Sequence, residues 1–313
     1  MAEPLPSDND DDCMRLLPGG SSGILARLEF LARAKKQGPI SGRHVSPNKG
    51  FSVVFAEHRP YTPGDDIRDL DWRVYAKADK YYIRQYIEET NLRATMVVDC
   101  SGSMKYQGSL ASPVDGKIQS KFEYARHMAA ALTYLMVKQQ DAVGLVTFDD
   151  KIRSFIRAAS RPSQVRLVLD GLNRSVTGGD TRLAGVLHEV AERIPQRGLV
   201  MIFSDCFDAV EDIVNAFHHF KYRSHEVILF HIMAEEELTF PFIGSQEFRD
   251  LEGEAKRLRV DPGSVRNAYL ERVRAHIDRL EAACGQLQAD YVPVSTKQFY
   301  FEALAKFLET RRR

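Results

Sequence analysis

Runs of apolar residues at Thr95–Val98, Ala142–Phe148, Leu199–Ser204 and Val227–Ile232 recur through the chain, with amphipathic stretches between them. Each run is apolar at successive positions rather than alternate ones, the pattern of a strand buried on both faces. The intervening segments carry helical spacing, clearest in Phe122, Ala125, Ala129, Leu132 and Leu135 and repeated at 163–173, 182–194 and 209–221. Strand and helix in strict alternation leave few folds open, because a parallel sheet needs a crossover on each connection and a helix layer on each face. Lys151–Ala158 alternates apolar and polar, as an edge strand does. Residues 236–260 break the rhythm and read as a hairpin insertion around Glu252-Gly253-Glu254. A helix with Tyr269, Val273, Ile277, Leu280 and Cys284 on one face then leads to a short strand, Tyr291–Val294, and a last helix from about Gln298. The fold class expected is α/β: a doubly wound, mostly parallel six-stranded sheet over residues 93–313.

What precedes that sheet has a different character. Residues 1–20 hold Asp8, Asp10, Asp11 and Asp12 among serine, proline and glycine and read as a disordered acidic tail. Ile24, Leu25, Leu28, Leu31 and Ala32 follow helical spacing until Gly38-Pro39 stops it. Strands at Phe51–Phe55 and Tyr82–Ile87 flank the turn-rich segment YTPGDDIRDLDW (61–72). Its charges around the only tryptophan, Trp72, suggest a salt-bridged platform rather than a solvated linker, in which Trp72→Ala would cost several kcal/mol if the ring is buried. Residues 21–92 are therefore expected to form an N-terminal helix and β-region packed on the domain that follows.

Composition narrows function more than it names it. Lysine plus arginine (43) equal aspartate plus glutamate (43), so no global field draws in nucleic acid. The four cysteines, Cys13, Cys100, Cys206 and Cys284, have no CxxC spacing, which argues against a zinc cage or a disulfide scaffold. No apolar run approaches the roughly 18–20 residues of a membrane span, and no signal peptide is visible, so the expected location is the cytoplasm.

The chemistry concentrates at strand ends. Asp99 closes the first apolar run and opens Asp99-Cys100-Ser101-Gly102-Ser103, which aims a carboxylate and two hydroxyls at one spot. Asp205 closes another run, and Thr177-Gly178-Gly179-Asp180-Thr181 leads straight into a helix. If the strands ending at Asp99 and Asp205 are neighbours at the point where strand order reverses, Asp99, Ser101, Ser103, Thr181 and Asp205 converge there. An all-oxygen set with few carboxylates suits Mg²⁺ or Mn²⁺.

This constellation resembles the metal-ion-dependent adhesion site of von Willebrand factor A domains, with Asp99, Ser101, Ser103, Thr181 and Asp205 as counterparts of its ligands. The run RPYTPGDDIRDLDWRVYAKADKYYIRQYIEE (59–89), followed by VVDCSGSM and GLVTFDD (144–150), is similar to the bacterial "domain of unknown function 58" family across about residues 22–313. One departure is Asp180, which precedes Thr181 where glycine is commonest. The resemblance implies direct ligation by Ser101 and Ser103, with Asp99, Thr181 and Asp205 binding directly or through water. It also implies a Mg²⁺-dependent adaptor that works with a MoxR-type AAA+ ATPase in protein-complex assembly, the client offering an Asp or Glu to the ion.

Two other classes compete. A metal-dependent hydrolase or phosphatase would need an acid/base two residues after Asp99, where Ser101 stands, and the chain has no G-x-S-x-G elbow, phosphate-binding G-x-x-x-x-G-K-[ST] loop or HExxH. Catalysis is not expected. A purely structural ion is the other alternative; the polar segment Lys105–Ser120, read as flexible from Gly108, Pro113 and Gly116, favours binding instead. His218 and His219 read as ordinary helix residues, and Cys100 and Cys206 as small packing groups rather than a redox pair.

Overall fold

The computed structural model describes residues 53–62, 70–78, 80–88, 92–114, 116–179, 182–195, 197–251 and 257–310. The acidic tail and the helix expected at 22–38 lie outside the described residues, as do residues 63–69 of the charged turn. By their contacts the described residues between 53 and 88 and those from Leu92 onward fall into separate compact units.

In the first unit, β1 (Val53–Pro60) and β2 (Tyr82–Glu88) pair antiparallel, Val53 opposite Glu88 and Pro60 opposite Tyr82, with a bulge between Phe55 and Glu57. Between them α1 (Trp72–Ala78) starts at Asp71, whose carboxylate accepts from the N–H groups of Arg73 (3.0 Å) and Val74 (3.3 Å). This start turns Trp72 outward. Its ring is 58% exposed and meets Tyr75 edge-on with centroids 6.2 Å apart, so the condition of a buried ring is not met. Tyr75 is the ring that packs here, stacked on Tyr81 at 4.6 Å.

The second unit is built on a six-stranded sheet. Its strands are β3 (Arg93–Asp99), β6 (Ala142–Phe148), β7 (Ile152–Ala159), β8 (Leu199–Ser204), β9 (Glu226–Met233) and β12 (Asp290–Ser295), in the order β12-β9-β8-β3-β6-β7. All neighbours are parallel except the edge strand β7, which runs antiparallel to β6. Gly144 permits the irregular register there, since a Cβ at that position would lie 2.6 Å from the Ile156 carbonyl oxygen.

Successive strand residues point to opposite faces, and both faces are covered. Met96, Val98, Leu145, Met201, Phe203 and Phe230 pack under α2 (Lys121–Lys138), α3 (Ser163–Arg174) and α8 (Tyr300–Thr310). Val97, Val146, Val200, Ile202 and Leu229 pack under α4 (Leu183–Arg193), α5 (Val210–Tyr222) and α7 (Pro262–Leu287). This is the doubly wound sheet that continuous apolar strands require. The short α6 (Glu235–Thr239) precedes the hairpin β10 (Gln246–Arg249) and β11 (Arg257–Val260), the insertion expected at 236–260. A small hairpin, β4 (Pro113–Val114) with β5 (Lys117–Ile118), sits in the loop after β3.

Strand order reverses between β3 and β8. Asp99 ends one and Asp205 directly follows the other, so the strand pairing alone brings the two carboxylates to the same end of the sheet.

Candidate functional site

Asp99 is fully buried and ties the two central strands together. Its Oδ1 accepts from the Ser101 N–H (2.9 Å), and its Oδ2 from the Ser204 hydroxyl at the end of β8 (2.6 Å). Ser101 is buried, and its Oγ lies 3.0 Å from Ser103 Oγ. Beyond β8 the chain turns sharply at Cys206, which adopts the left-handed conformation (φ 53°) and donates its N–H to Ser204 Oγ at 3.0 Å. Two histidines hold this turn: His231 Nε2 donates to the Asp205 carbonyl (2.9 Å) and His276 Nε2 to that of Cys206 (3.1 Å). Burial pushes His231 down to about 4, so its ring is neutral at pH 7; Nδ1 then accepts from the Tyr291 hydroxyl at 2.7 Å.

The glycine-rich loop docks on the same spot through backbone. Gly178 N–H donates to the Cys100 carbonyl (2.9 Å), and Gly102 N–H to that of Gly179 (3.1 Å). Gly179 has φ 84°, a conformation open to glycine. Asp180 and Thr181 lie outside the described residues, so the structure brings together Asp99, Ser101, Ser103 and Asp205 and fixes the loop two residues short of Thr181.

The electrostatics are dominated by two buried carboxylates. Burial, and after it the charge of Asp205, pushes Asp99 up to about 7, against the bonds from Ser204 and Ser101 that favour the ionised form. Asp205 has a second neighbour that sequence reasoning missed. Lys121, 1% exposed, places Nζ 2.7 Å from Asp205 Oδ2 and 2.7 Å from Glu237 Oε1. Burial alone would lower the lysine's pKa, but the charges of Asp205 and Glu237 outweigh it and the net shift is upward, so the ammonium is kept. The other Asp205 oxygen, Oδ1, is buried with no hydrogen-bond partner among the described residues.

A signal for Lys121 was present. Ser120 and Glu123 form a capping box that makes Lys121 the first residue of α2, where the helix dipole disfavours a cation. A lysine placed there asks for a carboxylate nearby.

The donor set fits a hard divalent ion in type and in spacing. The 3.0 Å between Ser101 Oγ and Ser103 Oγ matches the edge of about 2.9–3.0 Å of an octahedron whose bonds are about 2.1 Å. Asp205 Oδ1 is a buried acceptor with no partner among the described residues, and Asp99 is a carboxyl whose charged form a nearby cation would favour. No three His, Cys, Asp or Glu side chains gather as a metal cage among the described residues, so hydroxyls would have to supply part of the coordination.

The loop beside the site is not free to swing. Glu236 Oε1 accepts from the Ser109 hydroxyl (3.0 Å) and the Leu110 N–H (2.8 Å), Ser112 N–H donates to the Thr296 carbonyl (2.8 Å), and Lys121 N–H to that of Tyr106 (3.0 Å). Met104, Ala111 and Val114 are buried beneath it. Its polar composition suggested flexibility, but its anchors lie in distant parts of the chain. The thiols of Cys100 and Cys206 are buried and held far above the ordinary range, Cys100 to about 12, mainly by desolvation and by the adjacent aspartates. They pack; they are not activated. His219 does not stand alone on its helix: its Nδ1 lies 3.2 Å from Nδ1 of His188 on α4.

The family model described as "Protein of unknown function DUF58" matches residues 57–279. Uncharacterized proteins of Mycobacterium tuberculosis (Rv1480) and Mycobacterium bovis (Mb1516) are each 24% identical over 303 residues, covering 93% of this chain and 90% of the relative. Solved structures with partial likeness include an aerotolerance-related membrane protein from Bacteroides fragilis (TM-score 0.44, 16% identity, 70% of this chain and 99% of the other). BatB from Bacteroides thetaiotaomicron (0.43, 15%, 71% and 98%) and the SpRpn10 VWA domain (0.37, 14%, 69% and 95%) are others. Among the described residues no helix is long and apolar enough to cross a membrane.

Proposed function

The chain belongs to the DUF58 family, and from that premise we propose that it is a protein-binding adaptor whose recognition site is a Mg²⁺ or Mn²⁺ centre at Asp99, Ser101, Ser103, Thr181 and Asp205. The observation that carries this reading is the buried Asp205 Oδ1, without a hydrogen-bond partner among the described residues, beside a hydroxyl pair at octahedral spacing and an aspartate pushed up to about 7. When bound, the ion supplies an electrophilic position that a partner's Asp or Glu can fill. The protein's own part is positioning. Ser204 and the Ser101 N–H fix the Asp99 carboxylate, His231 and His276 clamp the Asp205 turn, and backbone bonds hold Gly178 and Gly179 beside the strand end.

Two features favour recruitment over the alternatives. Backbone bonds already join the loop after β3 to the end of β6 and to the glycine-rich loop (Cys100 to Phe148 and Gly178, Gly102 to Gly179), so an ion is not needed to pin these two loops. Phe207, 45% exposed at the rim, offers an apolar contact beside the centre. The family resemblance adds the partner class: a MoxR-type AAA+ ATPase and a client protein with an accessible carboxylate. Affinity of the full chain for such an ATPase or client, measured with Mg²⁺ and with EDTA, tests the reading. It should require the metal and be lost in Ser103→Ala; equal affinity with and without metal would place recognition elsewhere on the surface.

A further inference from the structure

Lys121 is the one lysine that the described core buries, and it is aimed at the carboxylate the site needs most. Its ammonium bridges Asp205 Oδ2 and Glu237 Oε1 at 2.7 Å each, and Phe207 covers it with its ring centroid 4.8 Å from Nζ. Glu237 is held in turn by the Ala234 N–H at 2.7 Å, which caps α6, so neither carboxylate is free to leave the lysine. Two carboxylates buried at the end of adjacent strands repel when both are ionised, and a cation beside them offsets that repulsion. Here the cation is covalently attached.

We infer that Lys121 is a built-in competitor for the divalent ion: it neutralises Asp205 in the metal-free protein and, by staying bound to Oδ2, holds the affinity for metal low. The inference rests on the metal-centre reading of Asp99, Ser101, Ser103 and Asp205. Three arguments carry it. The lysine occupies one Asp205 oxygen and leaves the other without a partner among the described residues, so an ion would meet the same carboxylate at its second oxygen. Two like charges on one carboxylate repel in a buried site, where the effective dielectric is far below that of water. Glu237 moderates the effect, because it takes part of the ammonium's hydrogen bonding away from Asp205. Lys121 is thus a positioning and affinity-setting residue, and Glu237 sets how firmly it grips.

The signs of the expected effects separate this from a lysine that merely supports the fold. Lys121→Met alone leaves Glu237 buried and unpaired, so the informative variant is Lys121→Met/Glu237→Gln, which removes one positive and one negative charge and keeps the site's net charge. Mn²⁺ alone is titrated into EDTA-stripped full-length protein, with free Mn²⁺ read by electron paramagnetic resonance and folding read by circular dichroism. The double variant should bind Mn²⁺ at least tenfold more tightly than wild type. Glu237→Gln, in which the ammonium has Asp205 to itself, should bind severalfold more weakly. A double variant that binds as wild type does, or more weakly, overturns the inference while leaving the metal centre standing. If wild type takes up no Mn²⁺ and the double variant does, Lys121 blocks the site outright: the inference is supported and the wild-type metal reading falls. Silence in both overturns both.

Discussion

Asp99 stands under two opposed demands. The N–H of Ser101 and the hydroxyl of Ser204 favour its charged form, whereas burial and the charge of Asp205 favour the neutral acid and win, raising it to about 7. The unfolded chain releases that proton near 3.8, so between these values the folded state holds a proton the unfolded state has lost. The associated stability is present below the lower value and is lost as pH rises through the upper one. His231 works in the other direction: held down to about 4 by burial, it loses stability as pH falls from its ordinary 6.5 toward 4. The two oppose each other, and a variant separates them. In EDTA, Asp99→Asn should gain on wild type as pH is raised from about 4 to about 8, by up to a few kcal/mol, since each tenfold change in proton affinity is worth about 1.4 kcal/mol. Denaturant titrations across that range check it; a stability gap that does not vary with pH would remove the strained carboxyl from the site. Trp72→Ala, by contrast, should change stability by less than about 1 kcal/mol in the same assay, because the ring is mostly in solvent. A loss of several kcal/mol would mean that the ring is buried after all.

At the scale of elements, what was legible in the sequence followed from local rules. Continuous apolar runs gave the strands of the central sheet, helical spacing gave the helices between them, and the alternation of Lys151–Ala158 marked the antiparallel edge. What was hidden depended on partners far along the chain. The loop after Ser103 looked flexible because glycine, proline and polar residues dominate it, and only the fold reveals that Glu236, 126 residues from Leu110, accepts from its backbone. Trp72 looked like part of a packed surface because charges and aromatics surround it in sequence, but the Asp71 cap fixed the start of its helix and turned it out. Glu236→Ala should free the loop: exchange of the Leu110 amide should accelerate at least tenfold, and stability should fall by about 1–3 kcal/mol, the penalty for leaving a partly buried donor unpaired. Unaltered exchange at Leu110 would show that the loop is held without Glu236.

Across the whole molecule, the site is a consequence of topology. Asp99 and Asp205 are far apart in sequence and meet because β3 and β8 are neighbours where the strand order reverses, a meeting that alternation of strand and helix made foreseeable. Lys121 and Glu237 were not foreseeable by that rule, since their pairing depends on how α2 and α6 sit over the strand ends rather than on strand order. The same arrangement explains how a chain can bury two carboxylates and remain folded before any ion arrives. Any ligand that binds the folded state alone stabilises it, by about 2.7 kcal/mol at a hundredfold excess over its dissociation constant. The most direct test is therefore calorimetric titration of Mg²⁺ into EDTA-stripped full-length protein, beside Asp99→Ala shown to be folded by circular dichroism. One site that saturates in the wild type and disappears in Asp99→Ala is the predicted result; no binding in the wild type, or equal affinity in both, would contradict a metal centre at the end of β3.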